Sequence, residues 1–162
     1  MRHLAQVHPD SAYGRAAGDA LTHFCTHCAA LFDEPGTRRR VCPRCGLGVV
    51  LTCSSATLDA AGAAFFVVTS DLRVSAGSKQ AEDLFSAHDG IFGRPLMSLV
   101  TSPAGIGELA RLVVAAANGT MAPTTIAVES AATKLDDLSL EARIGGCGNP
   151  PAALVVVEAA TR

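Results

Sequence analysis

The apolar positions of this chain change rhythm near residue 63. Beyond that point Ala64, Phe65, Phe66, Val67 and Val68 form an unbroken apolar run. Thr69, Ser70 and Asp71 end it, as a buried strand ends in a tight turn. Leu72, Arg73, Val74, Ser75 and Ala76 alternate, which predicts a second strand. Ser78 stands where a short helix through Gln80, Ala81, Glu82, Asp83, Leu84 and Phe85 needs a cap, with Glu82 near its positive end. Ser102 and Pro103 predict the cap and first position of a longer helix. Its Ile106, Leu109, Ala110, Val113 and Ala117 recur at helical spacing, and Asn118 and Gly119 stop it. Three strands then close the chain. Residues 125–129 alternate, and Leu138, Leu140, Ala142 and Ile144 share one face. Leu154, Val155, Val156 and Val157 have the composition of a central strand. The glycine-rich turn at 145–151 predicts an exposed hairpin tip carrying Cys147.

Upstream the pattern is shorter and more polar. Residues 9–22 read as a weak helix capped by Asp10 or Ser11, in which Gly14 and Gly18 each cost about 1 kcal/mol relative to Ala. Residues 23–53 read as a strand hairpin turning at Asp33, Glu34, Pro35 and Gly36. It returns along 37–41, and a third strand covers 47–51. Residues 54–62 are small and polar, the texture of a linker. The expected organisation is therefore an N-terminal helical segment (1–22), a small hairpin unit (23–53), a linker (54–62) and an α+β body (63–162).

The hairpin unit carries the sharpest chemistry. Cys25 and Cys28, then Cys42 and Cys45, are two pairs with two-residue spacing, which lets both sulfurs of a turn face one ion. Gly46 follows the second pair, where the turn needs a residue tolerant of positive φ. With Pro43 and Gly46, the four cysteines resemble the zinc-ribbon family with its rubredoxin-like knuckles. The resemblance implies a closed structural Zn²⁺ site on Cys25, Cys28, Cys42 and Cys45, although iron also suits tetrahedral sulfur. Thr26 and His27 depart from the usual first knuckle, and His23 or His27 is an alternative fourth ligand.

Composition narrows the function. Apolar residues make up 49% of the 162 and charged residues 17%, enough for a packed core. The formal charge of −2 argues against a dedicated nucleic-acid binder. It is unevenly spread: residues 1–57 hold six Arg against four acids, and residues 58–162 hold seven bases against eleven. Arg38, Arg39, Arg40 and Arg44 form a basic hairpin, but alternation splits them between two faces and no aromatic platform is interleaved. No apolar run reaches the roughly 20 residues of a membrane span, and no signal-like stretch opens the chain. With zinc-like cysteines, the expectation is a cytoplasmic protein without a membrane partner.

The body also carries a resemblance. Residues 65–74, then Ala81 to Phe85, then Gly93, Arg94, Pro95 and Leu96, set in the order of two strands, helices and three strands, resemble a PAS domain. The resemblance implies a five-stranded antiparallel sheet with flanking helices. It implies a non-enzymatic sensing or interaction role, a homodimer through the PAS domain and N-terminal helix, and a protein signalling partner. It further implies an interior of Phe65 or Phe66, Val68, Leu84, Leu109, Val113, Ile126, Leu138 and Leu140, either plainly packed or holding a small apolar ligand. His88 reads as a loop residue, and Cys53 and Cys147 as incidental or redox-active thiols. No nucleophile elbow, phosphate loop or zinc-hydrolase motif appears, which points away from catalysis. The second reading is a transcription regulator contacting nucleic acid through the basic ribbon hairpin. On the two-part organisation, a chelator should unfold the head and leave residues 63–160 folded.

Overall fold

A computed structural model describes residues 20–33, 40–85, 89–131, 135 and 138–160. Three short strands open the chain: β1 (Leu21–Cys25), β2 (Leu31–Phe32) and β3 (Val50–Ser54). The body follows with β4 (Ala64–Val68), β5 (Val74–Gly77), α1 (Lys79–Phe85), β6 (Val100–Thr101) and α2 (Ile106–Ala117). It closes with β7 (Thr124–Ser130), β8 (Leu140–Cys147) and β9 (Ala152–Ala159). The fold is α+β, and all the strands pair antiparallel. The hairpin strands and the body belong to one sheet, in the order β2-β1-β3-β8-β9-β4-β5. One edge of β8 serves two neighbours in line: residues 140–144 pair with β7, and Cys147 pairs with Cys53 of β3.

β4 and residues 152–157 of β9 are apolar because both their faces are covered. In β4, Ala64, Phe66 and Val68 enter the core beneath α1 and α2, while Phe65 and Val67 enter a second core beneath the cysteine-bearing head. In β9, Ala153, Val155 and Val157 go to the first core, and Ala152, Leu154 and Val156 to the second. Strict side-chain alternation therefore feeds two interiors from one strand. Phe66 meets Phe85 of α1 edge to face at 5.1 Å, and Phe24 of β1 meets Phe65 in the same way at 5.3 Å.

Several expectations are corrected here. Residues 1–19 of the expected N-terminal helical segment lie outside the described residues, and Leu21 and Thr22 belong to β1. The third hairpin strand starts at Val50, with Val49 in an isolated bridge to Val41. The long helix starts at Ile106, because Ser102 closes a turn instead. Its Oγ accepts from the Ala104 amide at 3.2 Å, its carbonyl accepts from the Gly105 amide at 2.9 Å, and Gly105 sits at φ +108°. Leu138 is exposed, since β8 begins only at Leu140. Cys147 is fully buried, because β8 continues through it beside β3. Within the expected linker 54–62, Thr57 and Leu58 are buried at 0% and 1% exposure. The Ser78 cap is present, its Oγ accepting from the Ala81 amide at 3.2 Å and from the Phe65 amide at 3.1 Å.

Candidate metal centre

Two turns build the centre. Cys25 ends β1, and its carbonyl accepts from the Ala29 amide at 3.2 Å, while Ala29 takes φ +53° to turn the chain back. In the second turn the Gly46 amide donates to the Cys42 carbonyl at 3.0 Å, and Gly46 has φ +70°, as expected of a glycine there. The two turns are stitched together. The Thr26 amide donates to the Val49 carbonyl at 2.9 Å, and the Val49 amide donates back to Thr26 Oγ1 at 3.0 Å. Thr26, unusual in sequence for such a knuckle, thus supplies a buried acceptor to Val49 beside the second turn. Gly48 is the other requirement that spacing alone did not reveal. A Cβ there would lie 2.4 Å from Cys25 Sγ and 2.8 Å from the His27 nitrogen.

The four sulfurs converge within 4.8 Å of one another. Cys25 Sγ to Cys45 Sγ is 3.7 Å, and Cys28 Sγ to Cys42 Sγ is 3.8 Å. A tetrahedron with Zn–S bonds of about 2.3 Å has edges of about 3.8 Å, so the donor set and its spacing fit a tetrathiolate metal ion. Neither His23 nor His27 belongs to the cluster; His23 Nδ1 instead bonds Thr52 Oγ1 at 2.8 Å. Backbone amides surround the sulfurs: His27 and Cys28 donate to Cys25 Sγ at 3.3 and 3.5 Å, and Arg44 to Cys42 Sγ at 3.4 Å. Burial pushes the Cys25 thiol up to about 12 and raises Cys28, whereas the Gly48 and Leu47 amides bring Cys45 down to about 6. A divalent cation held by these cysteines would favour four thiolates, and the amides would share the excess negative charge.

The head is bonded to the body beside α1. The Lys79 amide at the start of α1 donates to the His27 carbonyl at 2.7 Å, and the Gly62 amide donates to the Ala29 carbonyl at 3.1 Å. A cleft of about 280 Å³ lies there, lined by His27, Cys28, Gly62, Lys79 and Asp83 among others. Gly62 and Gln80 are shared with a larger groove of about 390 Å³. That groove is mainly apolar, with Ala63, Leu84, Phe85, Leu135, Leu138 and Leu140 on its walls. Of the expected interior residues, Phe66, Val68, Leu109, Val113 and Leu140 pack together with Leu84 and Ile126, while Phe65 joins the other core.

On the head-facing side Arg143 bridges Asp59, at 3.0 Å, and Glu158. Thr57 packs over Gly145, where an added Cβ would lie 2.1 Å from Thr57 Oγ1. Arg40 and Arg44 are exposed; Arg38, Arg39 and His88 lie outside the described residues. Among the described residues no helix is long and apolar enough to cross a membrane. No protein-family model, curated protein or solved structure matches the chain.

Proposed function

We propose that this protein is a non-enzymatic signalling module in which a PAS-type body senses a small apolar ligand or docks a partner, and a structural zinc ribbon relays the change. The carrying observation is the pair of backbone hydrogen bonds from Lys79 and Gly62 to the first knuckle. Both donors stand at elements that also wall the 390 Å³ groove, so a displacement there reaches the metal turn without crossing solvent. The succession after residue 63 of two strands, helices separated by the short β6, and three longer strands supports the PAS reading. A groove of this size falls in the range that small ligands occupy. Native mass spectrometry of the untagged chain tests the proposal, with one Zn²⁺ per chain, a homodimer and a retained apolar molecule as the expected result. A strict monomer across micromolar concentrations with nothing bound would refute it.

A second reading has its own observation. Arg40 and Arg44 are exposed around the second knuckle, and no acidic residue stands between Glu34 and Asp59. A regulator contacting nucleic acid through this hairpin would bind with a steep salt dependence that disappears when Arg38, Arg39 and Arg40 are neutralised. Lack of binding at low salt removes this reading.

A further inference from the structure

Cys53 and Cys147 are the two cysteines outside the metal cluster. They are remote in the chain, yet the fold makes them register partners across β3 and β8. The Gly148 amide donates to the Thr52 carbonyl at 3.0 Å. In an antiparallel ladder this makes 52 and 148 the hydrogen-bonded pair, and 53 and 147 the adjacent non-hydrogen-bonded pair. At such positions opposing Cα atoms approach to about 4.5 Å and side chains come closest. Disulfides span Cα separations of roughly 4.4–6.8 Å. Both thiols belong to the core shared by head and body, with exposures of 1% and 0%. Burial pushes Cys53 up to about 12 and raises Cys147 as well, the charge of Cys53 adding to the latter.

We propose that Cys53 and Cys147 form a disulfide under a hydroperoxide-class oxidant and thereby lock the metal-binding head to the body. One sulfur attacks a peroxide oxygen, the O–O bond breaks, and a sulfenic acid forms with release of one water. The second sulfur attacks the sulfenic sulfur, the S–O bond breaks, and the oxygen leaves as a second water. Two thiols are oxidised and one hydrogen peroxide is reduced to two waters. The high cost of ionising either thiol inside the core makes the closed seam slow to react. This seam holds a single register pair among the described residues, so its opening exposes both sulfurs together. The bond therefore records opening of the head from the body and then prevents it.

The test uses the full, zinc-loaded, reduced chain. It is treated with hydrogen peroxide at neutral pH, alkylated with maleimide under denaturing conditions, and mapped by peptide mass spectrometry while metal content is measured in parallel. The expected product is about 2 Da lighter before alkylation, carries a linked peptide pair containing Cys53 and Cys147, and keeps its metal. Cys53→Ser and Cys147→Ser should each abolish the linked peptide with metal content unchanged, which also reports that the variant folds. If a variant fails to fold, the wild-type peptide map still decides. Free or separately over-oxidised thiols at both positions overturn the proposal, as do links confined to the metal cysteines with loss of metal.

Discussion

Gly48 offers the sharpest check on the metal centre, because its role is steric and local. An alanine Cβ would stand 2.4 Å from Cys25 Sγ, 2.8 Å from the His27 nitrogen and 2.9 Å from His27 Cβ. Two of these neighbours are a ligand atom and backbone, which cannot swing aside as the end of a flexible side chain would. The 2.4 Å gap is about 1 Å short of an ordinary contact, which begins near 3.4 Å. Relieving it moves Cys25 Sγ off a site whose S···S edges are 3.7 and 3.8 Å. Overpacking of this kind costs about 1–3 kcal/mol. Taking about 2–3 kcal/mol on the metal-bound state, Gly48→Ala should weaken zinc binding roughly 30- to 140-fold. The measurement is competition against a chromophoric chelator at neutral pH. Gly46→Asn is the control: Gly46 needs φ +70° but has nothing within 4 Å of its Cβ position. Asn tolerates the left-handed region, so that variant should lose less than about fivefold. Zinc affinity of Gly48→Ala within about threefold of wild type would refute the close-approach argument.

The shared core reverses the chelator expectation drawn from sequence: metal removal should lower the midpoint of one cooperative thermal transition, since Phe24 and Leu58 pack with Phe65, Val67 and Leu154 in a single cluster. Two separated calorimetric transitions, with the second unchanged by chelator, would contradict it. Alkaline pH gives a further test through Cys53. Its folded-state value lies above that of the unfolded thiol. The associated stability is therefore fully present below about pH 9 and lost as pH rises toward about 12. Cys53→Ala should flatten that part of a denaturation-midpoint profile measured against pH, and an unchanged profile would show the thiol is not the cause.

The sequence by itself determined what depends on neighbours along the chain. Two-residue spacing put Cys25 with Cys28 and Cys42 with Cys45, and the preference of glycine for positive φ marked Gly46. The Ser78 cap, the stop at Asn118 and Gly119, and the all-apolar run of β9 were legible for the same reason. The start of α2 was misread because Ser102 and Pro103 suit a turn as well as a helix, and only Gly105 at φ +108° separates the two. What the tertiary structure alone decided concerns partners remote in sequence. An apolar run such as Phe65, Phe66 and Val67 announces burial on both faces, yet periodicity carries no information about what covers the second face. Here it is the cysteine-bearing head, brought over β4 and β9 by the pairing of β3 with β8. The same long-range pairing buried Cys147 and drew Thr57 and Leu58 into the interior, and the pairing of β1 with β3 set Gly48 against Cys25, because each depends on a contact that chain-local physics does not encode.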